Sequence, residues 1–380
     1  MAGRQPIVLS AGGTGGHLFP AQALGAELSR RGWKLILMTD PRGHNYAQAF
    51  PSAEIVTVPS ATFAGRSLFG KAAALFTLGR GMLSASAQLG RIAPAAVVGF
   101  GGYPSLPTLY AASRRDLPTL VHEQNAILGR VNRYLAPRVS IIAASFEGME
   151  RVPSSAQGKV VVTGNPVRET ILALTELAYL PPNAGDRLTV LVFGGSQGAR
   201  VLSQIVPKAV GQLPEALRGR LRIEQQCRPE DLNAVRAAYE QSGVTHELAP
   251  FFSDMGERLT RAHLVISRAG ASTVTELTAL GRPAILIPYP FAMDDHQSAN
   301  ARVLADRGGA IMVPEKALTA ESLTQTLVRL VAQPEQLTKL AHTARSLGRP
   351  GATTALADAV EGLALRAVSK TTKSSAGDRA

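Results

Sequence analysis

The chain has 380 residues, of which 45% are hydrophobic and 18% charged, and its net charge is +12. That length exceeds what one hydrophobic core usually serves, and the apolar content excludes a disordered chain. Cys227 is the sole cysteine, so an intramolecular disulfide is excluded and a cytosolic setting fits.

From the N-terminus, a single Arg4 precedes only a short apolar run at residues 7–9, so no secretory signal is expected. Residues 7–10 predict a buried strand, followed by a glycine loop and a helix over 19–31. Residues 34–38, 54–58, 95–98, 119–122 and 139–143 predict further strands, with helices between most of them. Alternation of this kind predicts a parallel sheet covered on both faces, hence an α/β, doubly wound, Rossmann-like domain. The uncharged stretch 92–113 is long enough to span a membrane, yet it holds three prolines and three glycines. A lipid-exposed helix cannot satisfy its backbone around so many breakers, so strand, loop and helix are expected there.

Residues 188–193 restart the pattern, leading into a glycine loop and a helix over about 198–211. Laying residues 190–199 on 8–17 pairs Val-Leu with Val-Leu, Gly12-Gly13-Thr14 with Gly194-Gly195-Ser196, and Gly16 with Gly198. Two Rossmann-like domains facing a cleft are therefore expected, spanning residues 1–163 and 164–348. A final helix over 349–368 is expected to pack back toward the first domain. Residues 369–380, small and polar, predict a disordered tail.

Charge is unevenly divided. Residues 1–163 hold 16 Lys and Arg against 7 Asp and Glu, and the remainder 24 against 21. A basic first half predicts an anionic partner for it, although a merely soluble basic surface has the same count. Aromatic residues are only 5% and do not interleave with basic ones, so no nucleic acid is expected as a partner.

Glycine loops between strand and helix let backbone N–H groups approach an anion at the positive end of the helix. Four such loops stand at residues 12–16, 99–102, 194–198 and at Gly270. One alone is an ordinary tight turn; several at strand C-terminal ends predict phosphate binding. Gly13-Thr14-Gly15-Gly16 lacks the regular dinucleotide spacing, although Asp40 could serve as a ribose acid, and no loop carries the Gly-Lys-Ser/Thr of a P-loop. Asp294-Asp295, the only adjacent Asp pair, lacks the Asp-x-Asp spacing of a metal-binding pair and reads as structural or part of a polar loop; with neither nucleotide fingerprint present, no cofactor is expected.

Several motifs together resemble the MurG family, the UDP-N-acetylglucosamine:N-acetylmuramyl-(pentapeptide) pyrophosphoryl-undecaprenol N-acetylglucosaminyltransferases of glycosyltransferase family 28. In the first part these are Gly12-Gly13-Thr14-Gly15-Gly16-His17, Gly101-Gly102-Tyr103, His122-Glu123-Gln124-Asn125 and Gly164-Asn165-Pro166-Val167-Arg168. In the second part they are Gly194-Gly195-Ser196-Gln197-Gly198-Ala199, Ser267-Arg268-Ala269-Gly270-Ala271-Ser272-Thr273-Val274-Thr275-Glu276 and Asp294-Asp295-His296-Gln297-Ser298-Ala299-Asn300-Ala301. They stand in family order and cover nearly the whole chain except its tail.

The resemblance implies a GT-B fold, with the donor UDP-N-acetylglucosamine on the C-terminal domain and the acceptor lipid I on the N-terminal one. It implies inverting, metal-independent transfer to the 4-hydroxyl of N-acetylmuramic acid, giving lipid II for peptidoglycan at the cytoplasmic face of the membrane. Another GT-B UDP-sugar enzyme, or a UDP-N-acetylglucosamine 2-epimerase that needs no lipid, is the alternative.

The same resemblance implies donor contacts from Thr14, Gly15, Gly16, Asn125, Arg168, Ser196, Phe252, Ala271, Ser272, Thr273, Glu276 and Gln297. Arg168 and Ser196 would meet the diphosphate, the Phe252 backbone the uracil, Glu276 both ribose hydroxyls, and Gln297 and Asn125 the sugar. His296 stands where the family often has a second glutamine, which leaves that contact open. Residues 271–280 predict a helix whose N-terminus supplies the positive field, with Ser272 and Thr273 as N-cap and hydroxyl donors. Gly13, Gly16, Gly101, Gly102 and Tyr103 would shape the acceptor diphosphate site. Histidine is the usual proton carrier near neutral pH, so His17 is expected as the base. His17 could instead cap its helix or bind diphosphate, and Glu123 is the rival base. His122 reads as scaffold.

Residues 63–91 carry Leu68, Phe69, Leu75, Phe76, Leu78, Met82 and Leu83 among Arg66, Lys71, Arg80 and Arg91. That pattern suits an interfacial helix on anionic lipid, and a core-facing helix shows the same spacing. With the basic first half and the resemblance, peripheral docking on an anionic membrane surface is expected.

Overall fold

Residues 7–10 and 188–193 are apolar at nearly every position, which suits strands whose sheets are covered on both faces. The computed structural model sets each of these strands inside its own parallel sheet. It describes residues 5–12, 15–41, 50, 52–61, 67–183, 185–195 and 198–377, with the side chains of all these but 68 and 367–377. The chain divides into two compact units, one of Met1–Arg168 with Gly351–Ala380, the other of Glu169–Pro350.

The first unit runs β1 (Ile7–Ser10), α1 (Gly15–Arg30), β2 (Leu35–Thr39), β3 (Ala53–Thr57), α2 (Leu68–Ile92), β4 (Ala96–Gly99) and α3 (Gly102–Arg114). It continues through β5 (Thr119–Glu123), α4 (Arg130–Leu135), β6 (Ile141–Ala144) and β7 (Val160–Val162). Its strands lie parallel in the order β3-β2-β1-β4-β5-β6-β7. Alternate side chains serve opposite faces. Ile7 and Leu9 join Leu24 and Leu28 of α1, whereas Val8 joins Leu78 and Leu89 of α2 and Leu109 of α3.

The second unit begins with α5 (Glu169–Leu172), β8 (Leu188–Phe193), α6 (Arg200–Gly211), α7 (Glu215–Arg218), β9 (Leu221–Gln226), α8 (Leu232–Ser242), β10 (Thr245–Ala249) and α9 (Met255–Arg261). Then come β11 (Leu264–Ser267), α10 (Ala271–Leu280), β12 (Ala284–Leu286), α11 (His296–Ala305), β13 (Ile311–Met312), α12 (Ala320–Ala332) and α13 (Pro334–Ser346). The order here is β10-β9-β8-β11-β12-β13, again parallel.

The last helix, α14 (Ala352–Gly377), belongs to the first unit. Leu356, Ala357, Val360 and Leu363 enter the core under α1. Arg31 pairs with Asp358 at 2.6 Å and Glu361 at 2.5 Å, and the Trp33 indole donates to Glu361 at 2.7 Å. The helix passes residue 368, its expected end, into the segment expected to lack structure. No Pro or Gly interrupts residues 363–376, so nothing in the backbone stops it earlier.

In both sheets the strand order reverses beside the first strand, between β1 and β4 and between β8 and β11. Ligands of open α/β sheets bind in the crevice at that reversal, beyond the strand C-terminal ends. The loops that follow these four strands are the four glycine loops of the sequence. Among the described residues, no helix is long and apolar enough to cross a membrane, and residues 92–113 form the end of α2, then β4 and α3.

Candidate functional site

At the first reversal, His17 on α1 lies against the turn that opens α3. Gly101 and Gly102 hold φ of 85° and 72°, the left-handed region that a side chain disfavours. A Cβ on Gly102 would stand 3.3 Å from the His17 Nε2. Glycine there sets the backbone and admits the imidazole together. Gly15 and Gly16 form the start of α1, which begins earlier than the residue 19 that the sequence pattern indicates. Tyr103 packs on the core beneath α3. Gly13 and Thr14 lie outside the described residues.

Behind His17 stands a buried polar array. His17 Nδ1 is 3.2 Å from Gln124 Oε1, and Gln124 Nε2 is 3.0 Å from the Phe100 carbonyl and 3.1 Å from His122 Nδ1. His122 Nε2 lies 3.1 Å from the Gly164 carbonyl. Complete burial pushes the His122 imidazole down to about 4; the Gly164 carbonyl opposes this and nearby His17 adds to it. His122 is therefore neutral at physiological pH.

Glu123 is 3% exposed and its carboxylate accepts from the N–H and side-chain amide of Asn125 at 3.0 and 3.1 Å. Its other oxygen accepts from the Gly129 N–H and the Asn132 amide, both at 2.9 Å. With both oxygens engaged, this carboxylate braces the 124–129 turn and orients Asn125. Arg168 ends the unit with its guanidinium 5.9 Å from the Phe19 ring centroid.

At the second reversal, a cavity of about 440 Å³ opens between the loops after β8 and β11, lined in part by Gly194, Gly195, Gly198, Gly270, Thr273 and Gln297. A Cβ on Gly194 would lie 2.3 Å from the Ala199 nitrogen, so only glycine lets this loop fold so tightly. Ser196 lies outside the described residues. The N-cap of α10 is Gly270, with no side-chain cap bond among the described residues; Ser272 and Thr273, expected as caps, sit inside the first turn. Gly270 takes the extended conformation that starts the helix, and among the described residues no side chain caps the first N–H groups.

Thr273 lines the cavity, whereas Ala271, Ser272 and Glu276 do not. Glu276 is 7% exposed, one turn further along α10. The Gln297 side-chain oxygen accepts the Ala269 and Tyr289 N–H groups at 3.2 and 3.0 Å, which leaves its amide N–H groups as the donors it can offer a ligand. His296 Nδ1 donates to the Met293 carbonyl at 2.8 Å. Asp295 accepts from the Ser298 hydroxyl at 2.7 Å, a turn-stabilising use of that acidic pair. Among the described residues, no group of three His, Cys, Asp or Glu is placed to hold a metal.

Phe252 is 4% exposed in the loop after β10, outside the cavity lining, and the Arg258 guanidinium lies 3.8 Å over its ring. Arg258 is anchored on Glu224 and Asp254, each at 2.8 Å, and on Glu247 at 2.5 Å. Sequence reasoning assigned no role to Gln124 or to Arg268, which also lines the cavity. Arg268 binds Glu315 at 2.6 Å and donates to the Ile287 and Pro288 carbonyls. Its position two residues before Gly270 was the available signal.

On α2, Ala74, Leu78, Ala85 and Leu89 face the core, and Met82 packs partly against it. Phe69, Leu75, Phe76 and Leu83 are 89%, 65%, 68% and 74% exposed. The apolar set read as one interfacial face thus divides, because 25 helical residues present a second stripe once the first is buried. Lys71 and Arg80 are exposed on the same helix; Arg66 lies outside the described residues.

Residues 7–143 match the glycosyltransferase family 28 N-terminal domain, and residues 189–361 the family 28 C-terminal domain. The chain is 51% identical over 364 residues to the "UDP-N-acetylglucosamine--N-acetylmuramyl-(pentapeptide) pyrophosphoryl-undecaprenol N-acetylglucosamine transferase" of Chelativorans sp. (strain BNC1), covering 96% of each chain. It is also 51% identical over 364 residues to the protein of that name from Paramagnetospirillum magneticum, covering 96% of this chain and 98% of that one. Among solved structures, it resembles Acinetobacter baumannii MurG with a TM-score of 0.78 and 31% identity, over 94% of this chain and 99% of that one. Two matched domains and these near-full-length likenesses establish that the chain belongs to glycosyltransferase family 28 and, within it, to the MurG family.

Proposed function

We propose that this protein transfers N-acetylglucosamine from UDP-N-acetylglucosamine to the 4-hydroxyl of N-acetylmuramic acid in lipid I, forming lipid II. The observation that carries the donor reading is the cavity at the N-terminus of α10, whose cap residue is Gly270, between two glycine loops. Backbone N–H groups and the helix dipole there suit the diphosphate, whose negative charge grows as UDP departs. Ala271, Ser272 and Thr273 supply the first-turn N–H groups, Gln297 supplies amide donors to the sugar, and Glu276 accepts the ribose hydroxyls. Phe252 presents its backbone to uracil on a loop that Arg258 holds in place. Thr14, Gly15, Gly16, Arg168, Ser196 and Asn125 complete the donor contacts.

On the acceptor side, Gly13, Gly16, Gly101, Gly102 and Tyr103 shape the diphosphate site. The acceptor oxygen attacks the anomeric carbon as the bond to the UDP oxygen breaks, and His17 takes the hydroxyl proton. One displacement inverts the anomeric centre. We assign the base to His17 over Glu123, because both Glu123 oxygens already accept two N–H groups each.

Incubation with radiolabelled UDP-N-acetylglucosamine, with and without a short-chain lipid I analogue, tests this reading. Label transfer that requires the acceptor and persists in EDTA is expected. Sugar epimerisation or UDP release without lipid would replace the transferase reading with the epimerase one.

We place the protein peripherally at the cytoplasmic face of the membrane, docked through α2. The exposed stripe of Phe69, Phe76 and Leu83 repeats every seventh residue with Arg80 beside it, and Lys71 and Leu75 are exposed one turn apart on the same helix. Charge reversal at Lys71 and Arg80 is expected to reduce binding to phosphatidylglycerol vesicles roughly tenfold or more, at about 1 kcal/mol for each basic residue removed. Unchanged vesicle flotation of the double variant would remove this docking face.

A further inference from the structure

We infer that Gln124 is a positioning residue that fixes His17 as the Nδ1–H tautomer, leaving Nε2 as the proton acceptor. The inference follows from which atoms can donate. The Gly164 carbonyl only accepts, so the His122 Nε2 carries a hydrogen. His122 is neutral in its buried site, so its Nδ1 is a lone pair and needs a donor.

Gln124 supplies that donor, and the Phe100 carbonyl sets which way its amide points. An amide oxygen 3.0 Å from a carbonyl oxygen would be repelled, so the NH₂ group occupies this position. Its hydrogens face the Phe100 carbonyl and His122 Nδ1, the two shortest contacts, with the His122 carbonyl a third acceptor at 3.3 Å. The remaining atom, Oε1, faces His17 Nδ1 at 3.2 Å and can only accept. Neutral His17 thus holds its proton on Nδ1. Its Nε2 lies beside Gly102, at the turn assigned to the acceptor.

An unconstrained imidazole favours the opposite tautomer, with hydrogen on Nε2, and such a ring could donate to a diphosphate but could not take a proton at Nε2. The array selects between the two uses that His17 type alone leaves open. His122, with no substrate contact assigned, acquires a purpose: its neutrality orients Gln124. The functional half of this inference rests on the reading of His17 as base.

The test is long-range ¹H–¹⁵N correlation of the His17 ring in the full-length, ¹⁵N-labelled protein, at a pH where the ring is neutral. Wild type is expected to show pyridine-type Nε2 and protonated Nδ1. In Gln124→Leu the Nε2–H form should take over. That variant should lose about tenfold or more in kcat, part of the 10²–10⁴ a positioned base supplies, while the KM for UDP-N-acetylglucosamine stays within about twofold. Protonated Nε2 in neutral wild-type His17 would overturn the inference without any variant, as would an unchanged tautomer and kcat in a folded Gln124→Leu. The expected tautomer together with full activity in His17→Ala would instead overturn the base assignment and leave the hydrogen-bond order standing.

Discussion

His17→Ala is expected to lower kcat for sugar transfer by about 10²–10⁴-fold, with the KM for UDP-N-acetylglucosamine held within about threefold. A base acts on a proton that leaves late in the displacement, so its removal raises the transition state and leaves the bound donor nearly untouched. Steady-state kinetics with a soluble lipid I analogue separates the two parameters. The opposite pattern, a raised acceptor KM with kcat reduced less than tenfold, would make His17 a diphosphate ligand. The substitution also strips Gln124 Oε1 of its donor, which costs about 1–3 kcal/mol if that oxygen stays dry. Thermal unfolding of the variant should accordingly be measured beside its rate. His17→Gln, whose amide can still donate to Gln124, should recover part of the stability and none of the rate.

Glu276→Ala is expected to weaken UDP binding by about 10²-fold or more. Charge-assisted hydrogen bonds contribute roughly 1.5–3 kcal/mol each, and a carboxylate accepting from both ribose hydroxyls makes two. At 1.4 kcal/mol per tenfold, even the lower figure for both bonds gives about two orders of magnitude. Glu276 lies within α10, whose neighbouring Val274, Leu277 and Leu280 are buried, so the helix carries it at a set distance from the first turn. Calorimetric titration of UDP into wild type, Glu276→Ala and Glu276→Gln measures the effect directly. Glu276→Gln should fall between, since the amide keeps one acceptor without the charge. UDP binding within threefold of wild type in a folded Glu276→Ala would remove Glu276 from the ribose site and leave the α10 N-terminus to be tested alone.

Much of the fold was legible along the chain. The runs at residues 7–10 and 188–193 showed as strands because their burial on both faces demands consecutive apolar residues. The glycine loops after β1, β4 and β8 were visible for a related reason, since a Cβ at Gly12, Gly99 or Gly194 would stand within 2.9 Å of a neighbouring atom. Other features were not. Val160–Val162, three residues at the sheet edge, is too short to carry a period of its own. The cap of α10 was misjudged because hydroxyl residues near a helix start suggest an N-cap, whereas Gly270 can take that position on backbone conformation alone. On α2 the apolar spacing fitted both core and interface, and the neighbouring sheet decided which residues went where.

The sequence by itself determined two rounds of strand, glycine loop and helix, and with them the placement of anion-binding turns at strand ends. Periodicity and the missing Cβ of glycine are local properties, readable over a few residues. Only the tertiary structure decided that Gln124 faces a histidine 107 residues away, that both Glu123 oxygens are engaged by the turn they brace, and that Leu78 is buried while Phe76 is exposed. Those outcomes depend on which distant segments meet, and on which donors remain once each carbonyl there has taken its hydrogen.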